Sequence, residues 1–189
     1  MLEKAVVYAL TANVEMVKDI CSRLGLTPGN CEVKHFADGE IIVENYQSVR
    51  GKNVYVVQST CNPVTERLME LLIFIDALKR ASAKHIHVVI PYYGYSRQDR
   101  KAKAREPITA RLVADLLQTA GVERVVAFDL HAPQIEGFFN CPVDNLSAIP
   151  MYGRYFREKF RNLNHELVVV SPDHGGATRA RRLATYLGC

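Results

Sequence analysis

Short runs of β-branched residues alternate along the chain with longer segments whose apolar positions recur at helical spacing. AVVYAL (5–10), NVYVVQ (53–58), HIHVVI (85–90), RVVAFD (124–129) and ELVVVS (166–171) predict strands. Between them the spacing predicts helices over about 13–24, 64–82 and 107–120. In the last of these, Pro107 falls near the first turn, Ile108, Leu112, Leu116 and Leu117 form the apolar stripe, and Gly121 stands just past the end. Strands that are apolar on both faces and separated by helices imply a mostly parallel sheet covered on both sides, an open α/β fold. CEVKHFADGEIIVEN (31–45) departs from that rhythm: two alternating segments flank Asp38-Gly39, which predicts an antiparallel hairpin.

After Val143 the pattern weakens through NLSAIPMYGRYF before the last apolar run. A boundary is expected near 146–150, giving units of 1–148 and 149–189. The second unit contains a lead helix, one strand and one helix, too little to close a core alone.

Composition narrows the class without choosing a function. Of 189 residues, 48% are hydrophobic and 23% charged, as in a globular protein with a substantial core. No apolar stretch approaches the roughly 18 residues of a membrane span, and MLEKAVVYAL is too short for a secretory signal, so a soluble cytoplasmic protein is expected. Cys21, Cys31, Cys61, Cys141 and Cys189 stand apart, with no C-x-x-C pair, and read as free thiols in a reducing compartment. The net charge of +4 suits an anionic small molecule as well as a polymer.

The chemistry gathers in three segments. In an open parallel sheet, ligands bind outside the carboxyl ends of the strands. The strand ending at Ile90 runs into PYYGYSRQDRKAKARE (91–106), far longer than the roughly 2–6 residues usual for such a connection. Within it, residues 97–105 carry five cations, Arg97, Arg100, Lys101, Lys103 and Arg105. The strand ending at Asp129 runs into LHAPQIEGFF, and the last strand into PDHGGATRARR. All three segments are expected on one edge. Asp173 followed by Gly175-Gly176 and a helix offers backbone N–H groups to an anion, and its carboxylate suits a hard cation. The plain alternative is a tight turn with Asp173 as helix cap, and His131 as a structural strand-end histidine. Together with the cations, these segments imply a polyphosphate with Mg²⁺. There is no G-x-x-x-x-G-K-[ST], so a P-loop is excluded. A nucleic-acid surface over 97–105 with Arg179, Arg181 and Arg182 is disfavoured, because Asp99 interrupts the run and no recognition motif accompanies it.

FADGE (36–40), RGKNVYVVQST (50–60), LMELLIFIDALKRASA (68–83), VIPYYGYSRQDRKAKAREPITA (89–110), DLHAPQIEGFF (129–139), PVDNL (142–146) and VVVSPDHGGATRAR (168–181) stand in the order found in a known family. Across almost its whole length the chain resembles the ribose-phosphate diphosphokinases, or phosphoribosyl diphosphate synthetases, most closely the bacterial phosphate-regulated class. The resemblance implies a phosphoribosyltransferase-like fold duplicated in two halves, the second only begun here. It implies transfer of the diphosphoryl group of ATP to C1 of ribose 5-phosphate with release of AMP, Mg²⁺ as cofactor, and a homo-oligomer, a hexamer.

By position, Arg97 and Gln98 match ATP-binding residues, and Phe36, Asp38, Gly39 and Glu40 an adenosine-contacting hairpin supplied by a neighbouring subunit. His131 and Asp173 match the Mg²⁺–ATP positions, and Asp173, His174, Gly175 and Gly176 a diphosphate loop. Ser48, Arg50, Ser82 and Asp144 match a possible allosteric phosphate site. Glu136 departs from the family's usual Gln, and a carboxylate facing phosphate weakens the case for that site. The family's catalytic Lys/Arg loop and the loop that grips ribose 5-phosphate are expected beyond Cys189, so the chain alone is expected to be inactive. The alternative is a non-catalytic subunit that assembles with active ones.

Overall fold

The computed structural model describes residues 5–161 and 167–189. They divide into two units, Met1–Leu146 and Ser147–Cys189, each described by itself. The first unit runs β1 (Ala5–Ala9), α1 (Val14–Leu24), β2 (Cys31–His35), β3 (Ile41–Asn45), β4 (Asn53–Val57), α2 (Val64–Arg80), β5 (His85–Ile90), α3 (Thr109–Ala120), β6 (Arg124–Phe128), a 3-10 turn (Pro133–Phe138) and β7 (Val143–Leu146). The second contains α4 (Ile149–Lys159) and α5 (Ala177–Leu187).

β1, β4, β5, β6 and β7 form a five-stranded sheet in that order, and every pairing is parallel. β2 and β3 form the separate antiparallel hairpin. The main core lies on one sheet face, where Tyr8, Val56, Val88 and Val125 meet Leu71, Phe74 and Leu78 of α2 and Val113 and Leu117 of α3. On the other face, Val7 and Val57 pack against Val17 and Cys21 of α1. Helices therefore cover both faces, but unevenly. β5 alternates intermediate and buried residues along its whole length, and on the α1 side it presents His85, His87 and Val89. The sequence reading of strands apolar on both faces holds less well there than at β1 and β4.

Two local differences have clear causes. α3 begins at Thr109 rather than at 107, with Pro107 outside it, and Gly121 ends it at φ 125°. It buries Ala110, Val113, Ala114 and Leu117, leaving Leu112 and Leu116 exposed. The close neighbours of α3 are α2 and the 3-10 turn, and the small Ala110 and Ala114, four apart, fit that buried side while Leu112 and Leu116 turn outward. The hairpin turn also differs from a two-residue Asp-Gly turn. Gly39 N–H donates to Phe36 O (2.9 Å), Phe36 N–H donates to Glu40 O (2.8 Å), and Gly39 has φ 93°. That is a tight turn followed by a left-handed glycine, the bulged hairpin form.

β7 was not anticipated, since VDNL is short and half polar; it forms because β6 offers an open parallel edge. The predicted strand ELVVVS is not formed. Glu166 lies outside the described residues, and 167–171 adopt no strand, with Val168 and Val170 each 79% exposed. A strand needs a neighbour for its backbone groups, and the described residues of the second unit contain no other strand. There α4 and α5 pack closely at Gly153, where a Cβ would lie 2.1 Å from the Tyr186 ring. All five cysteines are free thiols. No helix among the described residues is long and apolar enough to cross a membrane.

Candidate nucleotide site

β4, α2, β5, α3 and β6 follow one another across the sheet without a reversal of strand order, and α2 and α3 lie on the same face. No switch-point crevice arises in this run, so the cleft has to be made by the loops. The segment after β5 is built for this. Thr60, just past β4 and 2% exposed, donates from its N–H to Tyr92 O (2.9 Å) and from Oγ1 to Tyr92 O (3.1 Å), and its Oγ1 accepts from Gly94 N–H (2.7 Å). Tyr93 turns inward: its hydroxyl donates to Ala110 O (3.0 Å), its ring meets Phe139 edge-on, and burial pushes its phenol well above the ordinary range. Tyr95 takes φ 63° and its hydroxyl lies 3.0 Å from Thr65 Oγ1. Gln98 N–H donates to Tyr95 O (2.9 Å), and Ala110 N–H donates to Gln98 O (3.1 Å).

Arg97 is thus carried on a tied backbone. It shares a cavity of about 140 Å³ with Tyr92, Ser96, Phe128, Asp129 and His131. Gln98 stands next to this cavity, and its side-chain carbonyl accepts from the Thr109 hydroxyl. Beyond Asp99 the cations lie on an exposed stretch folded about Glu106, whose carboxylate accepts from the N–H groups of Ala102 (2.9 Å) and Lys103 (2.8 Å).

The opposite wall comes from the end of β6. Asp129 takes φ 43°, turning the chain sharply so that His131 faces the cavity lined by Arg97. Leu130 N–H donates to Asn145 Oδ1 (3.2 Å), and Asn145 Nδ2 donates to Glu136 Oε1 (2.8 Å). Glu136 therefore has a partner within its own chain.

The other expected residues fall elsewhere. Gly39 and Glu40 line a separate groove of about 360 Å³ with Ile41, Met69 and Ile73; Phe36 is 53% exposed, and none of the hairpin residues lines the Arg97 cavity. Asp38 Oδ1 accepts from Glu40 N–H (3.1 Å). Arg50 bridges to Ala83, and Gly51 N–H donates to Ser82 O (2.9 Å), with Ser82 at φ 62°, so Arg50 and Ser82, with Ser48 close by in sequence, belong to one corner. Asp144 is on β7, two strands beyond β5 and so roughly 10 Å across the sheet, and pairs with Arg124 (2.7 Å). Within one chain the four do not meet. In the second unit, Asp173 Oδ1 accepts from Gly176 N–H (2.7 Å) within the turn ahead of α5, whose own N-cap is Gly176 without a side-chain cap bond, so Asp173 closes the turn rather than capping the helix. His174 and Gly175 are exposed beside it.

Sequence reasoning missed Thr60 and the aromatic lining of Tyr92 and Phe128. It also missed a buried polar knot at the ends of β1 and β4. Glu70, 1% exposed, accepts from Thr11 Oγ1 (2.9 and 2.7 Å) and from Gln58 Nε2 (2.8 Å), while Gln58 Oε1 accepts from Ala12 N–H (3.1 Å). The available signal was a glutamate in the middle of the apolar stripe of α2.

An open parallel α/β domain here carries a cation-bearing loop and a histidine loop that meet at a small cavity outside the carboxyl ends of its strands, the place where such folds hold ligands. Residues 5–121 match the N-terminal domain of ribose phosphate pyrophosphokinase. The chain is 59% identical over 184 residues to the ribose-phosphate pyrophosphokinase of Fusobacterium nucleatum subsp. nucleatum, covering 97% of this chain and 58% of that protein. It is 56% identical over 181 residues to that of Bacillus subtilis, covering 96% and 56%. The crystal structure of phosphoribosylpyrophosphate synthetase from Mycobacterium smegmatis superposes with a TM-score of 0.91 at 44% identity, over 98% of this chain and 62% of that one. The chain belongs to the ribose-phosphate pyrophosphokinase family and has its phosphoribosyltransferase-like fold. It spans less than two thirds of the length of these relatives.

Proposed function

We propose that this chain is the ATP- and metal-binding portion of a ribose-phosphate diphosphokinase, with 1–148 as nucleotide-binding and assembly domain and 149–189 opening a second phosphoribosyltransferase-like domain. The observation that carries the reading is the convergence of Arg97 and His131, from two different loops, on one cavity. The Arg97 guanidinium suits phosphate oxygens or the face of a base. Tyr92 and Phe128, 47% and 37% exposed, offer rings for the nucleoside.

In the reaction, the C1 hydroxyl of ribose 5-phosphate attacks the β-phosphorus of ATP in line, the bond from that phosphorus to the oxygen of the α-phosphate breaks, and AMP leaves. Such transfers depend on positioning and charge neutralisation. Mg²⁺ takes oxygen ligands and keeps several waters, needing only one or two protein groups. Among the described residues no three His, Cys, Asp or Glu side chains gather into a metal cage, and one oxygen of Asp173 already accepts from Gly176. The proposed ion is one held chiefly by polyphosphate and water, with His131 of the first unit and Asp173 of the second each proposed to serve Mg²⁺–ATP; when bound, it would neutralise charge on the transferred group.

The hairpin residues Phe36, Asp38, Gly39 and Glu40 do not line their own chain's cavity, which suits a role in a neighbouring copy of a cytoplasmic homo-oligomer. The test is AMP formation from ATP and ribose 5-phosphate by the protein at the length of its relatives. No AMP, or a rate indifferent to both Arg97→Ala and His131→Ala, would sink the reading.

A further inference from the structure

Asp99 is the only acid among residues 97–105, and the fold treats it unlike its neighbours. Arg97, Gln98 and Arg100 are exposed, whereas Asp99 is 8% exposed. Its Oδ2 accepts a hydrogen bond from Gln134 Nε2. Gln134 belongs to the 3-10 turn that follows His131, where Ile135 is fully buried. The contact therefore joins the two walls of the Arg97–His131 cavity at a point two residues past Arg97 and three past His131.

Each wall is also tied from behind. The Arg97 side is held through Gln98 O to Ala110 N–H (3.1 Å), and the His131 side through Leu130 N–H to Asn145 Oδ1 (3.2 Å). Neither of those bonds sets the distance between the walls. The Asp99–Gln134 hydrogen bond spans them directly, and a charged acceptor buried against an amide donor makes such a bond comparatively strong.

We propose that Asp99 and Gln134 form a positioning latch that fixes the Arg97 loop against the His131 loop and so presets the cavity for ATP. Neither lines the cavity, so the role proposed for both is positioning. The proposal rests on the ATP reading given above. It also divides the cationic segment: residues up to Asp99 are held, and those from Arg100 to Arg105 are not held by the latch.

A charge-exchange cycle tests it. Gln134→Glu sets two carboxylates against each other, and Asp99→Asn on that background restores one donor facing one acceptor. ATP affinity with Mg²⁺, measured by calorimetry on this chain, should fall about tenfold or more in Gln134→Glu. The double variant should return to within about threefold of wild type. Trypsin cleavage after Arg97, measured without nucleotide, should follow the same order, faster in the single variant and slowed again in the double. Gln134→Ala, which removes the donor without adding charge, should lie between. Thermal melting identifies a variant that fails to fold, and Gln134 is exposed enough for substitution there to be tolerated. Wild-type affinity in Gln134→Glu, or no rescue in a folded double variant, overturns the latch. Failure of the wild-type chain to bind ATP overturns the functional reading instead, and the trypsin cycle then judges the latch alone.

Discussion

A Cβ on Gly94 would lie 2.4 Å from the carbonyl oxygen of Thr60. The approach is that close because Thr60 holds the chain at both Tyr92 and Gly94, the latter through a 2.7 Å bond from Gly94 N–H to Oγ1. The root of the loop that carries Arg97 is thereby stitched to the end of β4. Gly94→Ala should lower stability by about 1–3 kcal/mol and weaken ATP binding, because a backbone oxygen cannot yield as a flexible side chain can. Thr60→Val keeps the shape but leaves the Gly94 N–H without a partner, at a cost of about 1–3 kcal/mol. Thr60→Ser should recover most of that. Thermal unfolding of the three variants checks the order.

Arg97→Ala and His131→Ala should each weaken binding of ATP with Mg²⁺ by about tenfold to a hundredfold, as for loss of a charged hydrogen bond. Lys101→Ala and Lys103→Ala, on the exposed stretch, should change it less than about threefold, and that small effect should vanish in high salt. Calorimetry at two ionic strengths separates the two groups.

Glu70 is a buried carboxylate whose acceptors serve Thr11 and Gln58. Glu70→Leu should destabilise by about 1–3 kcal/mol through the donors it leaves unpaired. Glu70→Gln, which keeps one acceptor oxygen, should cost less. Denaturant midpoints measure the difference.

Burial lowers the pKa of His87 from its ordinary 6.5, and its Nδ1 is buried without a hydrogen-bond partner. The unfolded chain then binds a proton that the folded chain resists, so this contribution to stability is present above pH 6.5 and is lost as pH falls through the lowered folded value. His87→Phe should flatten the fall in melting temperature between pH 7.5 and 5.5, which melting at several pH values would reveal.

Burial pushes the Cys31 thiol from 9.0 up to about 11, whereas Cys189 is exposed. At pH 8 a thiol-alkylating reagent should therefore modify Cys189 long before Cys31, as peptide mapping would report. Stability contributed by the neutral Cys31 thiol should be intact below pH 9.0 and fade as pH rises towards about 11.

The class of fold was legible because parallel strands and their covering helices each bury a contiguous apolar face, and burial writes its period into the chain. The long segment after β5 and the Asp-Gly turn were legible for the same local reason: length and glycine report directly on a backbone that must leave the regular elements. The cationic run, His131 and the Asp173 loop could be named from residue types alone, whereas Arg97 is singled out within the run only by the family resemblance. What spacing could not reveal is partnership across distance. ELVVVS has every local mark of a strand, yet 167–171 form none, whereas the half-polar VDNL is a strand because β6 lies beside it. In α3 two of the four positions on the predicted stripe, Leu112 and Leu116, are exposed, since packing against α2 and the 3-10 turn decided which face turned inward.

By itself, the amino-acid sequence determined the α/β alternation, the hairpin and the residues able to meet a polyphosphate, because these follow from the chemistry and periodicity of neighbouring positions. Only the tertiary structure decided that Arg97 and His131 share a cavity, that the hairpin residues do not line it, and that Asp99 serves as an anchor rather than a break in a basic run. Those outcomes depend on contacts between segments far apart in the chain, and a side chain's neighbours in space are set by packing, not by its neighbours in sequence.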